Sequence, residues 1–309
     1  MALMKRLFQC TLEESVTAWN KGFEGYYFDA STDVDRFTKR MISDGLQPSI
    51  SIIAFEDGSP VGLVLSGKRK VRGVTMSWNG GTGVATEYRR HGIGKELMAE
   101  AMSIYQEENV DVATLEAISQ NEKAIKLYEK MGYRIVDGIN HYTLKGEWQE
   151  TDDGKRFFNI KKGSITDIKQ FALYQDKGPW QAQWEHIADA EAWISINEEG
   201  NVNGYAIYKN HFNEEGTLQA VTLFQANTAA DQEGGSLLQA LVRKVFQPEV
   251  ENLKRTAAFI PVSNKNLVAL LLENGFETSV EQVYMVKPLT DKGDAFVQEY
   301  YAFSKQDAH

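Results

Sequence analysis

The chain carries a single cysteine, Cys10, and only six prolines in 309 residues. One thiol excludes an internal disulfide and any metal site built from several cysteines. Cys10 has no evident activating partner and reads as a small hydrophobe. Few prolines and 25 glycines without a biased tract exclude fibrous and low-complexity architectures. No run of about 18 apolar residues is present, and Met1 to Cys10 offers Lys5 and Arg6 but no apolar segment of the secretory kind. A soluble protein of a reducing, cytoplasmic compartment is expected. Excess positive charge is also missing: 33 Lys and Arg against 43 Asp and Glu give a formal net charge of -10. Such a surface repels phosphate backbones and anionic headgroups, which argues against nucleic acid and membranes as partners. What the chain does have is 42% hydrophobic and 11% aromatic residues, ample for packed cores over a length suited to about two domains.

Sliding the sequence against itself exposes a repeat. Glu56-Asp57-Gly58-Ser59-Pro60-Val61-Gly62-Leu63 reads like Glu198-Glu199-Gly200-Asn201-Val202-Asn203-Gly204-Tyr205, shifted by 142. Gly94 with Leu97-Met98 matches Gly234 with Leu237-Leu238 at 140, and Asn121 with Gly132-Tyr133 matches Asn264 with Gly275-Phe276 at 143. A nearly constant offset implies two tandem copies of one fold. The polar stretch from Trp148 to Arg156 suits a linker, so the expected domains are 1–147 and 157–290, joined by 148–156, with a tail at 291–309.

In the first copy, Thr11-Leu12-Glu13-Glu14 is a capping-box signature that predicts a helix. Val34, Phe37, Met41 and Ile42 predict a second helix ending near Gly45. Ser49–Phe55 and Val61–Leu65 flank Asp57-Gly58 as a hairpin. A further strand is expected from Val71 through Trp78, resuming after glycines to Ala85. Gly80-Gly81-Thr82-Gly83 marks a bulge or a close backbone approach. Ile93, Leu97, Ala101 and Ile104 form the stripe of a third helix. Val110–Ile118 is a strand, Asn121–Lys130 a helix, and Tyr133–Val136 and His141–Leu144 two short closing strands. The class is mixed α/β, not a repeated strand-helix barrel.

The sharpest chemical signal is Arg89-Arg90-His91-Gly92-Ile93-Gly94-Lys95, after a strand and at the mouth of a helix. Glycines there permit a tight turn with amides pointing outward, and the helix dipole adds partial positive charge, so a pyrophosphate can be held by main chain. A dinucleotide fingerprint would need glycine at Leu97, and a P-loop would need a hydroxyl at Glu96. No metal site is proposed. Arg89-x-x-Gly92-x-Gly94 after Val84-Ala85-Thr86, followed by Asn121-x-x-Ala124-x-x-Leu127-Tyr128 up to Gly132-Tyr133, resembles the GNAT superfamily of acyl-coenzyme A dependent N-acyltransferases over nearly all of the first copy.

That resemblance implies two tandem GNAT-like domains and an enzyme that transfers acetyl from acetyl-CoA to a primary amine by direct attack. It places the pantetheine arm along Val84, Ala85 and Thr86 and the pyrophosphate on Arg89, Arg90, His91, Gly92, Ile93, Gly94 and Lys95. Asn121 lies beside the coenzyme, and Tyr128 is the acid for the leaving thiolate. An amide near Val84 or Ala85 would meet the developing oxyanion. Residue by residue, simpler readings stay open. Tyr128 shares a stripe with Ala124, Leu127 and Met131 and by spacing alone is a core tyrosine. Asn121 is also an N-cap, His91 an exposed turn residue, and Lys68-Arg69-Lys70 with Arg72 a solvated hairpin.

Many family members carry a glutamate base where this chain has Thr75-Met76-Ser77-Trp78-Asn79-Gly80-Gly81. Glu116 on the following strand is the candidate base, with an outward-facing carboxylate as the rival reading. Water is the other possibility, and Glu24 and Asp29 come next as base candidates, because their segment, with Tyr26 and Tyr27, borders the acceptor pocket in relatives; Trp78 and Asn79 are candidates to shape that pocket. In the second copy Arg89 is replaced by Ala229, Gly92 by Gln232 and Tyr128 by Leu271, with Asp231 and Glu233 at the turn. Carboxylates oppose an anion and leucine donates no proton, so this copy is expected not to bind coenzyme A productively. It would cover or wall the first copy or form a homodimer, using Trp180, Trp184 and Trp193. The acceptor is expected to be a small-molecule amine, cationic rather than acidic. The alternative is a non-catalytic acyl-CoA binding or sensing protein.

Overall fold

The computed structural model describes residues 2–148, 157–229 and 234–301. In chain order the elements are β1 (Leu3–Arg6), α1 (Leu12–Gly22), α2 (Val34–Ser43), β2 (Ile52–Glu56), β3 (Ser59–Val71), β4 (Val74–Val84), α3 (Ile93–Glu107), β5 (Val112–Ile118), α4 (Glu122–Lys130) and β6 (Arg134–Leu144). Then come β7 (Ile160–Gly163), α5 (Ile165–Ile168), β8 (Glu191–Ile196), β9 (Val202–Phe212), β10 (Leu218–Thr228), α6 (Gly234–Phe246), β11 (Lys254–Pro261), α7 (Lys265–Glu273), β12 (Phe276–Pro288) and α8 (Asp291–Tyr300). The chain forms two compact units, Met1–Val136 with Val283–His309, and Asp137–Gln282. Most of the linker expected at 148–156, the end of the tail, and Asp231, Gln232 and Glu233 lie outside the described residues.

In the first unit the strands run β1-β2-β3-β4-β5, with the later half of β12 beyond β5. β1 with β2, β2 with β3 and β3 with β4 pair antiparallel, and β4 with β5 pairs parallel. Alternation sorts the side chains: Ala113, Leu115 and Ala117 of β5 join Leu97, Ala101 and Tyr105 of α3 in one core. The α1 capping box forms as expected, with Glu14 N–H donating to Thr11 Oγ1 and Thr11 N–H to Glu14 Oε2. Strand β3 is longer than expected and runs through Lys68-Arg69-Lys70; the hairpin lies at Arg72-Gly73, whose φ of 49° and 84° give the paired left-handed turn that suits tightly joined strands.

The second unit repeats the plan as β7-β8-β9-β10-β11, with β10 and β11 parallel. Its neighbour for β11 is β6, through Thr256↔Thr143 and Ala257↔Tyr142. Each copy thus gives away its closing strand: residues after α4 complete the second sheet, and residues after α7 complete the first. This differs from the contiguous halves 1–147 and 157–290 read from the repeat. The two short strands expected at 133–136 and 141–144 are one strand, β6. Gly138, inside this strand, makes room, since a Cβ there would stand 2.9 Å from Val262 Cγ2. Trp180, expected as surface, is buried and stacks on His186, while Lys162 covers Trp193 and Lys169 covers Trp184.

The stretch expected as a tail holds α8 at residues 291–300. Thr290 caps it by accepting from Gly293 N–H and donates to Asp111 Oδ1. A Cβ on Gly293 would fall 1.9 Å from the Asp111 carbonyl oxygen. Gly293→Ala must therefore push α8 off its seat, at a cost of about 1–3 kcal/mol. Thermal unfolding should show a lower midpoint, and an unchanged midpoint would mean that the contact is not made.

Candidate active site

The site begins where two strands part. β4 and β5 pair from Met76↔Val112 to Asn79↔Leu115 and no further, although β4 continues to Val84 and β5 to Ile118. A register shift between Leu65 and Ser66 of β3 leaves Gly80 of β4 without an opposite residue, which is a β-bulge. The expected bulge is present, and so is the close approach: a Cβ on Gly83 would lie 3.0 Å from the backbone of Gly22 at the end of α1. Beyond the bulge, Ala85 N–H donates to Val61 O at 2.8 Å. By antiparallel alternation the amides of Thr82 and Val84 then point away from β3, into the gap left by β5. Of the two oxyanion donors expected from sequence, Ala85 is spent on β3 and Val84 is the one turned toward the gap.

The turn after β4 carries the expected helix mouth. Gly92 is the N-cap of α3 at φ 92°, a left-handed conformation that favours glycine, and it has no side-chain cap. The amides of Lys95 and Glu96 return to Gly92 O, whereas among the described residues those of Arg90, His91, Gly92, Ile93 and Gly94 donate to nothing in the protein. Arg90, His91 and Lys95 are exposed around them, Ile93 is buried against the core, and Gly94 is half-buried under Leu127. Five outward amides at a helix N-terminus, flanked by Arg90 and Lys95, fit a diphosphate without further help.

Arg89 does something the sequence does not reveal. Its Nε donates to Val84 O at 2.9 Å, and its Nη2 donates to Glu24 O at 2.9 Å and Gly22 O at 3.3 Å. The guanidinium ties the segment after α1 to the end of β4 with three of its five hydrogens. Arg89→Ala should accordingly raise the acceptor KM about tenfold and leave the acetyl-CoA Kd within about twofold, one decade being about 1.4 kcal/mol. A large loss of coenzyme affinity would return Arg89 to the phosphate.

Tyr128 is buried, with its hydroxyl toward Thr82 on the free stretch of β4; burial first of all pushes its pKa up to about 12. Thr82 Oγ1 accepts in turn from Asn79 Nδ2 at 2.8 Å. Asn121 caps α4 by accepting from Ala124 N–H and lies beside Tyr26, whose pKa is raised chiefly by burial. Tyr27 donates to Gln120 O at 3.1 Å. Tyr26, Asn121, Tyr128 and Thr82 thus gather along the gap, Thr82 being the member hidden in sequence by its glycine-rich run.

Other expected residues stand apart. Trp78 is buried and donates its indole N–H to Glu116 Oε2 at 2.5 Å. Asn79 is buried and accepts from Gly81 N–H, holding the bulge from inside. A cavity of about 590 Å³ opens among α1 and the segment that follows it, lined by Asn20, Phe23, Glu24, Tyr26, Phe28 and Asp29 among others. Asp29 accepts from Ser31 N–H, and the Ser31 side chain first, then this amide, holds its carboxyl below the usual range.

Residues 9–133 match the model of the acetyltransferase (GNAT) family. Over 101 residues the chain is 30% identical to the N-alpha-acetyltransferase MAK3 of Arabidopsis thaliana, covering 33% of this chain and 53% of that protein. The chain thus spans about half the length of this relative. The GCN5-related N-acetyltransferase of Sphaerobacter thermophilus superposes with a TM-score of 0.63 at 13% identity, covering 93% of this chain and 95% of that one. A tandem GNAT protein of the clavulanic acid biosynthesis pathway superposes at 0.58 and 14% identity, covering 90% and 94%. These two likenesses show the fold across both copies.

Proposed function

We propose that the first unit transfers an acetyl group from acetyl-CoA to a primary amine by direct attack. The observation that carries this reading is the parting of β4 from β5 beside the open amides at the mouth of α3. The thioester supplies an activated acetyl group. The chain's residues would hold and orient it: the amides of Arg90 to Gly94 grip the diphosphate, with Arg90, His91, Ile93 and Lys95 around them. The free edge of β4 from Thr82 to Val84, continuing to Ala85 and Thr86, lines the arm. The Val84 amide meets the oxyanion, and Tyr128, beside Asn121, donates to the departing sulfur.

No carboxylate lies on β4, and Glu116 is engaged with Trp78. An acceptor that needs little help with its proton suits such a site. A peptide α-amine, with pKa about 7.7–8.0, is roughly one-tenth neutral at pH 7, whereas an alkylamine near 10.4 is neutral in fewer than about one molecule in a thousand. The likeness to an N-alpha-acetyltransferase points the same way. A small cationic amine is the second reading, favoured by Glu24 and Asp29 at the cavity near Tyr26 and Tyr27.

A free-thiol assay over peptides with open N-termini and small amines tests both. Thiol release should rise with pH with a midpoint near 8, as the acceptor sheds its proton, and Glu116→Gln should leave that midpoint in place. A midpoint that moves with Glu116→Gln would make Glu116 the base. Acetyl-CoA binding without thiol release from any amine would replace catalysis by sensing.

A further inference from the structure

The second unit contains a cavity of about 260 Å³ where β10 and β11 part after Leu223↔Ala257. We propose that it is a separate binding site for a small uncharged molecule that offers an N–H donor on an apolar or aromatic body. The site is independent of the acetyl-CoA cleft assigned to the first unit.

Three features shape it. First, among the described residues none that lines it is ionisable; Phe224, Phe259, Ile260, Pro179 and Leu267 give apolar wall and the remaining polar groups are neutral. A charged guest would lose its hydration without gaining a countercharge. Second, the cavity is closed to a long extended arm. Asn264 Nδ2 donates to Ala226 O at 3.3 Å, so this side chain spans the parted strands. Third, the walls are fixed. Gln225 accepts from Tyr205 hydroxyl at 2.9 Å and donates to Ala182 O at 2.8 Å, which pins the segment that covers the cavity.

What remains open is acceptor capacity. Asn227 Nδ2 donates to Leu173 O at 3.1 Å and Gln175 Nε2 donates to the same carbonyl at 3.4 Å. Among the described residues their side-chain oxygens receive no hydrogen bond, and both residues line the cavity. Two neutral acceptors beside aromatic rings select a guest such as a primary carboxamide on a flat ring. Phe259 holds φ 58° within a register shift of β11, so its ring is kept at the wall at some backbone cost.

Benzamide is a suitable probe, with benzoate and benzamidine as charged isosteres. Saturation-transfer NMR on the full chain should detect benzamide and neither ion. Asn227→Leu, which removes an acceptor at similar volume, should weaken benzamide at least tenfold. Ser263→Trp, at an exposed position on the rim, should abolish its binding without touching the core. Saturating acetyl-CoA should leave benzamide bound. The proposal is overturned if benzamide does not bind, if it binds both variants unchanged, if the ions bind equally well, or if acetyl-CoA displaces it.

Discussion

Gly92→Gln is expected to weaken acetyl-CoA binding about a hundredfold or more while leaving the fold standing. At φ 92° a residue with a side chain costs about 1–2 kcal/mol, yet a Cβ at this position meets nothing within 4 Å. The protein can carry the strain. For a chain of this size it should lower the unfolding midpoint by only a few degrees, at about 2–4 °C per kcal/mol. The coenzyme cannot tolerate it, because relaxing residue 92 turns away the amides from Arg90 to Gly94 and hangs a side chain over them. The substitution also reproduces what the second copy has at Gln232. Calorimetric titration with acetyl-CoA reads the effect, and unchanged affinity would remove the diphosphate from this turn.

Tyr128→Phe should cost about a hundredfold in kcat with little change in acetyl-CoA affinity, within the range typical of positioned acids. The ring stays in place, since its edge contact with Tyr133 at 6.1 Å needs no hydroxyl. The raised pKa fixes how the hydroxyl acts. Pushed up to about 12 by burial, Tyr128 keeps its proton throughout the working range. A thiol has an ordinary pKa of about 8.5, so complete transfer from this phenol to a thiolate is uphill. On the proposed mechanism Tyr128 would serve by hydrogen-bonding the sulfur as charge develops. A kcat within about twofold of the unaltered protein would assign it to the core alone.

Features set by local rules were legible in the chain. The Thr11 capping box, the buried stripe of α3, the bulge at Gly80-Gly81, the Gly92 helix mouth and the Asn121 cap each depend on a few neighbouring residues, and all are present. Partner choice between distant segments was not. The repeat reports that two copies share a fold, but nothing in it says which sheet a closing strand joins, so the exchange of β6 and the end of β12 stayed hidden. Gly138 shows why: a glycine required by the Val262 side chain looks the same in sequence as a glycine required by a turn. Likewise, the motif that contains Arg89 gives no sign that its guanidinium reaches three main-chain carbonyls. Trp78 and Glu116 read as separate site candidates because only parallel pairing of β4 with β5 brings them together.

The account's central claim is that one copy of the duplicated fold grips acetyl-CoA and the other does not. Isothermal titration of the full chain with acetyl-CoA measures this directly as a stoichiometry. One coenzyme per chain, with none bound by Gly92→Gln at the same concentrations, is the predicted result. Two per chain, or one per chain that persists in Gly92→Gln, would contradict it.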